Sequence, residues 1–471
     1  MQKLIVVLLL AAACTKPNPN RCCTDEADCT AKGIPVGSIC EQGLVCRGNQ
    51  CISQPCASST ECDATAPYCV AELCAEACND DAQCPGFGQA ASDRFCVEGA
   101  CAECRIGMND CTTAAPVCDQ GSCRQCRDHN ECQSSVCSAD GSCADESSIA
   151  YVETNGAANS NCTRTSPCST IARALMLARR YVLIGPGTYP STAAIVLSGQ
   201  VDLIGSGTRP ILTRSTPGPI VSISSGQIGV DNLQLSGATT NASDYGYGLY
   251  CEATTGAPVL KARRILARDN NLGGMYAQSC SVEVTESTFT NNGRGTSGPG
   301  IKIVNGTGVI DRCTVSDNDT GIELDSGLFQ VTNCFIFHND SPSTSYGINL
   351  YSTEGGQKIE FNTIVDNARS AVVGRGFNCQ LDGVTGSFPN NLFVRNKLQT
   401  AGANCTYPSS IVVDTDVTAL KFNSPDVPPF DYHIGAGSMA IDAAAGSTVD
   451  HDFDGQPRTA PRDVGADEFV P

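Results

Sequence analysis

The sequence is poor in positive charge. Its 471 residues include 30 lysines and arginines against 49 aspartates and glutamates, which gives a formal net charge of −19. Most of this excess lies between Cys22 and Ile149, where 20 acidic residues accompany 6 basic ones. Such a segment repels phosphate polymers and anionic lipid headgroups, so the composition argues against nucleic-acid binding.

The sequence also lacks the short motifs of several enzyme classes. It contains no Gly-x-Ser-x-Gly elbow, no His-Glu-x-x-His pair and no phosphate-binding glycine loop. Serine hydrolases, zinc peptidases and nucleotide-binding enzymes that carry these motifs are therefore disfavoured. Histidine is scarce as well, and the four copies are scattered along the chain: His129, His338, His433 and His451.

Two short phrases recur between Gly248 and Val373, where helix-forming runs are almost absent. The first is a glycine or small residue followed by an alternating apolar strand, and its copies begin at Gly248, Gly274, Gly300, Gly321, Gly347 and Ala371. The second is an apolar residue followed three places later by asparagine, and its copies end at Asn292, Asn318, Asn339, Asn367 and Asn396, with Asp269 replacing the asparagine in an earlier copy.

The period of these phrases predicts an all-β solenoid. Alternation with period two indicates short strands with one face inward, and a third candidate strand fills most gaps between the phrases. Each copy is too short to bury its own apolar face, so stacking of neighbours must supply the core. Asparagine tolerates the left-handed backbone of sharp turns and can hydrogen-bond from coil to coil. Three short strands per coil, stacked in parallel, describe a β-helix.

Residues 150–471 resemble the right-handed parallel β-helix repeat of pectate-lyase-like proteins and many bacterial surface proteins. The resemblance implies a cap before the first coil, at 150–190, then coils over 191–425 and a closing segment at 426–471. Within the cap, a short helix is predicted to begin after Pro167, with Ser169 as its N-cap. The scaffold carries lyases, hydrolases, adhesins and proteins without chemistry, so it implies little about function.

The first 13 residues have the pattern of an export signal. An apolar run from Leu4 to Ala13 is too short to span a bilayer and ends in small residues. The sequence Ala11-Ala12-Ala13-Cys14 resembles the bacterial lipobox, which implies a lipidated Cys14, a polar tether at 14–21 and, with Thr15 next, the outer membrane. An ordinary signal peptidase could also cut after Ala13, which would leave a soluble secreted protein.

The segment 22–149 is predicted to consist of tandem disulfide modules, because it has many cysteines and few large apolar residues. Zinc binding is the alternative, but the cysteine spacings are mostly four to six and the count is even. The pairing inside a module does not follow from the sequence. An opening set of six cysteines precedes four groups of four, which begin at Cys56, Cys78, Cys104 and Cys126.

The eight cysteines of the solenoid are predicted to form four links. One closes a local loop and three join adjacent coils, whose spacing of about 4.8 Å lies inside the usual Cα window of a disulfide. The competing interpretation is a stack of free buried thiols. The expected links are Cys162–Cys168, Cys251–Cys280, Cys313–Cys334 and Cys379–Cys405.

Two acidic groups are candidate functional sites. Asp450, Asp452 and Asp454 alternate before a glycine, a pattern that suits calcium, although Pro461 stands where an EF-hand needs glutamate. The alternative is that these residues form a hydrogen-bonded terminal clasp. The best lyase-like grouping combines carboxylates with a basic residue one coil earlier: Asp317, Asp319, Glu323, Asp325 and Lys302. Solvated surface carboxylates explain this second group better, so no catalytic residue is assigned and calcium is the one candidate cofactor.

These observations favour a non-enzymatic lipoprotein of the outer membrane or cell surface. A lipid anchor would hold it to the membrane, and a rigid, monomeric β-helix would display a long face to a polysaccharide or a surface protein. The alternative is a polysaccharide lyase or glycoside hydrolase acting on an extracellular polysaccharide.

Overall fold

The computed structural model describes residues 29–30, 44–47, 50–53, 68–70, 73–75, 77–85 and 93–470, apart from 244, 255 and 295–297. The chain forms two compact units, Met1–Ala144 and Asp145–Pro471. The predicted signal, the tether and Cys14 lie outside the described residues. Within the described part, no helix is both long enough and apolar enough to cross a membrane.

The first unit is built from small cross-linked hairpins. In each of the three modules whose disulfides are described, the first cysteine bonds the third and the second bonds the fourth. The links are Cys78–Cys96, Cys84–Cys101, Cys104–Cys118, Cys111–Cys123, Cys126–Cys137 and Cys132–Cys143. The antiparallel hairpins are Leu44–Arg47 with Gln50–Ser53, Tyr68–Val70 with Leu73–Ala75, Phe95–Val97 with Ala100–Ala102, and Val117–Asp119 with Ser122–Arg124. These thiols are consumed in disulfides, so the zinc interpretation does not apply to them.

The second unit is a parallel β-helix with three long sheets, because each coil adds one strand to each sheet. Sheet 1 contains Ile149–Ala157, Tyr181–Ile184, Gln200–Gly205, Gln227–Asp231, Val259–Arg263, Ser281–Thr285, Thr307–Asp311, Leu328–Thr332 and Lys358–Glu360. Sheet 2 contains Thr188–Ser191, Ile211–Arg214, Gln234–Ser236, Leu266–Arg268, Thr288–Thr290, Thr314–Ser316, Phe335–Phe337, Thr363–Val365, Leu392–Val394 and Ile411–Val413. Sheet 3 contains Ile195–Leu197, Val221–Ile223, Tyr247–Glu252, Gly273–Gln278, Pro299–Val304, Thr320–Asp325, Thr344–Ser352, Val373–Leu381 and Thr400–Ala401.

One helix and several short elements complete the described structure. A helix, Ile171–Leu175, packs Ile171 and Ala174 into the first coil. Its N-cap is Thr170 and not the predicted Ser169, because the Thr170 hydroxyl accepts a hydrogen bond from Arg173 N. The other described elements are Gly386–Ser387 beside Cys405–Thr406, the antiparallel pair Phe422–Ser424 and Asp431–Ile434, and 3-10 turns at Asp81–Gln83, His129–Glu131, Glu146–Ser148 and Thr418–Leu420.

A ladder of buried asparagines runs between sheets 2 and 3. Each side-chain amide donates to the next one along the axis at 2.9–3.0 Å, through Asn270, Asn292, Asn318, Asn339, Asn367 and Asn396. Two sequence predictions need correction here. Asn270, not Asp269, holds the ladder position of its coil. The left-handed backbone conformation falls one residue before each ladder asparagine, at Asp269, Asn291, Asp317, His338, Asp366 and Arg395. The asparagines are therefore explained by their coil-to-coil hydrogen bonds and not by a left-handed backbone at their own positions.

Three of the four predicted solenoid disulfides are present: Cys162–Cys168, Cys251–Cys280 and Cys379–Cys405. The fourth prediction is wrong, because Cys313 and Cys334 are free and fully buried. They occupy equivalent positions in a second interior ladder, between sheets 1 and 2. Cys334 Sγ accepts from Cys313 N at 3.4 Å, and Cys334 N in turn donates to Asn362 Oδ1 at 3.1 Å. The thiols therefore act as ladder side chains.

Candidate functional site

The outward face of sheet 3 carries an unbroken row of polar and aromatic side chains over six coils. We call it the sheet 3 row, and its members pair in register along the axis: Tyr250, Tyr276, Lys302, Glu323, Asn349 and Asn378. Their neighbours along each strand, such as Leu249 and Met275, are fully buried, because alternate residues of a strand point to opposite faces. With adjacent strands about 4.8 Å apart, the six positions span about 24 Å.

Tyrosines form the N-terminal end of the row. The rings of Tyr250 and Tyr276 stack with centroids 5.2 Å apart and planes 12° apart, and Tyr247 lies 5.3 Å from Tyr276. Tyr245 stacks on Tyr250 at 6.2 Å and is 55% exposed. The inner tyrosine rings therefore cover one another. The stack presents ring edges, hydroxyl groups and the exposed ring of Tyr245 to the solvent.

Charged and amide groups form the rest of the row. Lys302 Nζ lies 2.8 Å from Glu323 Oε2, across adjacent coils. Two coils further on, Asn378 Nδ2 donates to Asn349 Oδ1 at 2.7 Å, and Arg375 Nη1 donates to Asn378 Oδ1 at 3.2 Å. These bonds hold long side chains in fixed positions on a rigid sheet, which lowers the entropy that a ligand must remove on binding.

A flanking row lies two residues further along each strand, on the same outward face. It consists of Glu252, Gln278, Val304, Asp325, Tyr351 and Gln380. The Tyr250 hydroxyl donates to Glu252 Oε2 at 2.6 Å, and the Tyr276 hydroxyl donates to Gln278. Burial, together with the hydrogen bond to Glu252, raises the pKa of Tyr250, so this phenol stays neutral and remains a hydrogen-bond donor.

The lyase-like grouping is assembled only in part. Lys302, Glu323 and Asp325 share the outward face of sheet 3, whereas Asp317 sits at the left-handed corner after sheet 2 and Asp319 is buried. Among the residues described, no three carboxylates of this face come within 4.8 Å of one another. A calcium ion needs at least six oxygen ligands, so this grouping lacks the convergence that a calcium-dependent lyase requires.

The predicted calcium trio does not converge either. Asp452 is fully buried, and its carboxylate accepts from Gln456 N at 2.7 Å and Glu468 N at 3.1 Å. Asp450 pairs with His451 at 2.8 Å, and Asp454 points to a different histidine, treated below. Because each carboxylate serves another partner, the alternating spacing is explained by the terminal clasp, whose buried Arg458 lies 3.1 Å from Glu468.

The sequence itself carries a signal for the sheet 3 row. Tyr250, Tyr276, Lys302, Glu323 and Asn349 all hold the third place of the recurrent phrase, so alignment of the copies brings them into one line. The prediction for the last copy is wrong, because Ile348 pairs with Phe377 and the phrase is therefore Gly376-Phe377-Asn378. The predicted copy, Ala371-Val372-Val373, includes two exposed valines.

A match to a known family supports the fold. Residues 221–417 match the family described as the right handed beta helix region. Among solved structures, pectate lyase Pel9A aligns at a TM-score of 0.48 and 16% identity, over 68% of this chain and 96% of the lyase. The A-module of Azotobacter vinelandii mannuronan C-5 epimerase AlgE6 aligns at 0.23 and 17%, over 49% of this chain and 90% of the module. No curated protein matches the chain. The fold is a right-handed parallel β-helix.

Proposed function

We propose that the sheet 3 row binds an extended neutral polysaccharide without cleaving it, and that the protein is an outer-membrane lipoprotein that displays this surface. The observation that carries the proposal is the continuity of the row. Six consecutive coils place tyrosine, charged or amide side chains at the same position of one sheet, and all of them except the buried Asn378 are partly exposed. A repeating surface about 24 Å long suits a repeating ligand.

The chemistry of both rows favours a glycan. Sugars present many hydroxyl groups, and the two rows offer carboxylate and amide oxygens as acceptors and amide, phenol and ammonium groups as donors. Sugar rings also have an apolar C–H face, for which the exposed ring of Tyr245 is a platform. Polar groups that fix orientation beside aromatic surface are typical of ligand sites.

The charge of the face favours a neutral polymer over an acidic one. Lys302 and Arg375 carry two positive charges, against three negative charges on Glu252, Glu323 and Asp325. The face is therefore slightly negative, on a chain of net charge −19. An acidic polysaccharide would be repelled, because like charges across an interface disfavour association.

We infer binding without cleavage from the ion pair that Lys302 forms. A lyase needs a base with a free lone pair within hydrogen-bond reach of the proton it removes. The Lys302 ammonium instead contacts Glu323 at 2.8 Å. Cleavage remains the second candidate function, because a bound substrate could displace this contact and release Lys302 next to Glu323 and Asp325.

Glycan-array screening of the purified full chain, scored for binding and for released products, tests both functions. Affinity electrophoresis with the best ligand then compares Tyr276→Ala and Lys302→Gln with Lys261→Gln. Lys261 is a matched control, because it forms the same kind of cross-coil ion pair, with Glu283 at 3.1 Å, on sheet 1.

We expect each sheet 3 variant to bind about 10-fold more weakly, the effect of losing about 1.4 kcal/mol of hydrogen bonding, and the control to bind like the wild type. Equal weakening in all three variants, or no binding to any neutral glycan, would refute the proposal. Product release that Lys302→Gln abolishes would establish the lyase instead.

The lipid anchor is tested separately. Acylation of Cys14 should carry the protein into the detergent phase of a phase-separating detergent, since each buried CH₂ contributes about 0.8 kcal/mol. Cys14→Ser should remain in the aqueous phase. A mass spectrum that shows an unmodified Cys14 at the mature N-terminus would exclude the anchor and leave the glycan proposal standing.

A further inference from the structure

His433 occupies a rigid position in the closing segment, far in sequence from the sheet 3 row. It lies on the strand Asp431–Ile434, and its ring packs against Phe335 at 4.8 Å and Phe453 at 5.7 Å. Aromatic contacts of this kind fix the plane of the imidazole. The two ring nitrogens consequently point in set directions.

The two nitrogens have different surroundings. Nδ1 lies 2.5 Å from Asp431 Oδ1, and Asn423 Nδ2 in turn donates to Asp431 Oδ2 at 3.1 Å. Nε2 is buried, and no hydrogen-bond partner meets it within the part of the chain that the structure describes. In the neutral imidazole, a carboxylate at Nδ1 holds the proton there and leaves the Nε2 lone pair for a ligand.

Two carboxylates lie in front of this lone pair. Asp454 Oδ2 is 3.4 Å from His433 Nε2, and ligand atoms of His433, Asp454 and Asp467 all lie within 4.8 Å of one another. Asp467 is buried, and its Oδ2 accepts from Ile434 N at 2.7 Å. The three side chains line one cleft of about 370 Å³ that is open to solvent.

We propose that His433, Asp454 and Asp467 bind a zinc ion, with Asp431 as the positioning residue of the histidine. Zinc takes imidazole nitrogen and carboxylate oxygen at about 2.0–2.2 Å, which puts tetrahedral ligand atoms about 3.4 Å apart. The His433–Asp454 distance has this value already. A small rotation of Asp454, whose side chain is 43% exposed, brings its carboxylate into range of both partners.

The charge of the three ligands and the carboxylate behind His433 suit the same ion. A neutral imidazole with two carboxylates neutralises Zn²⁺, and the open cleft leaves a fourth position for water. The carboxylate–histidine arrangement at Nδ1 is the usual support of a metal-bound imidazole. The site is distinct from the calcium trio predicted from spacing, since it shares only Asp454 with that trio.

Zinc titration of the chelator-treated full chain by calorimetry tests the site at neutral pH. We expect one zinc per chain, binding at least 100-fold weaker in His433→Gln, and 10- to 100-fold weaker in Asp431→Asn. His451→Gln is the matched control, because both nitrogens of His451 are already engaged, by Asp450 at 2.8 Å and Asp311 at 2.9 Å.

Two further measurements keep the result decisive. Asp454→Asn changes a partly exposed side chain, so it reports on the site even if His433→Gln fails to fold. X-ray absorption of the zinc complex should show nitrogen and oxygen ligands only. Absence of binding at millimolar zinc, unchanged affinity in both ligand variants, or sulfur ligands in the spectrum would overturn the proposal. A zinc-free protein that still binds glycan would leave the proposed function intact.

Discussion

The asparagine ladder should be a principal source of stability in the solenoid, and Asn318→Ala is the sharpest probe of it. Asn318 is buried in the middle of the ladder. Its Oδ1 accepts from Asn292 N and Asn292 Nδ2, both at 3.0 Å, and its Nδ2 donates to Phe289 O at 3.0 Å and Asn339 Oδ1 at 2.9 Å. Alanine removes all four bonds at once.

The magnitude follows from the groups left without a partner. Asn292 N loses its acceptor and Phe289 O loses a donor in a space that water does not reach. Each unsatisfied buried group costs about 1–3 kcal/mol, so the variant should lose about 2–6 kcal/mol of unfolding free energy. The matched change, Asn423→Ala, removes one bond of 3.1 Å, to Asp431, at an exposed position. Water can replace that partner, so we expect a loss of at most about 1 kcal/mol.

Guanidinium unfolding followed by far-ultraviolet circular dichroism, with the disulfides intact, measures both variants. The Asn318→Ala transition should move to clearly lower denaturant, while the Asn423→Ala transition stays near that of the wild type. If the two variants lose the same free energy, buried amide bonds are not what holds the coils together. Apolar packing would then be the sufficient cause of the stacking.

Two further predictions concern buried titratable groups. The thiols of Cys313 and Cys334 are buried, and burial raises the pKa of Cys334. Neither thiol should therefore react with a maleimide until the protein is unfolded. Labelling of the native chain at either residue would contradict the structure. Burial acts to raise the pKa of Asp366, but hydrogen bonds involving His338 and Arg395 outweigh it and lower the pKa. The stabilisation from Asp366 is therefore present above its unfolded pKa of about 3.9 and is lost as the pH falls below it. Asp366→Asn should consequently flatten the fall of the melting temperature in acid. Parallel melting-temperature curves for the variant and the wild type in acid would argue against this role.

The fold could be predicted because every coil of the solenoid has the same requirement, a strand with one buried face. A strand that buries one face in each coil must alternate in each coil, so the pattern accumulates over many copies even though each copy is short. Boundaries inside a coil were less secure. Asp269 and Asn270 are both plausible turn residues, and only the pairing of Ala267 with Phe289 decides which one enters the ladder.

The sites were harder to predict, because they depend on side chains from distant coils. Asp450, Asp452 and Asp454 are close in sequence, yet each carboxylate faces a different partner. His433, Asp454 and Asp467 are far apart in sequence and meet only because the closing segment folds back on itself. Spacing within one strand predicts which residues share a face, and it does not predict which residue of another segment lies opposite.

The free thiols show how register decides whether two cysteines can bond. Thr314 pairs with Phe335, so Cys313 and Cys334 hold the same register position. In-register side chains of parallel strands project side by side about 4.8 Å apart, beyond the usual Cβ separation of about 3.8 Å in a disulfide. By contrast, Cys251 pairs with Ala277 but bonds Cys280, three residues further along the coil.

The same offset recurs in the other inter-coil disulfide. Asn378 pairs with Ala401, which places Cys379 opposite Gly402, yet Cys379 bonds Cys405, again three residues further on. The chain has turned the corner between sheet 3 and the next coil by that point. The second sulfur therefore approaches from a different direction and the bond can close.

This geometry makes a prediction about Ser287, which precedes Cys313 in the ladder because Thr288 pairs with Thr314. Ser287→Cys places a third sulfur in register, and the argument from geometry says that it stays a free thiol. Counting thiols in denaturant without reductant should give one more per chain than the wild type. One fewer would mean that the new sulfur has bonded Cys313, and in-register cysteines could then be cross-linked in this solenoid after all.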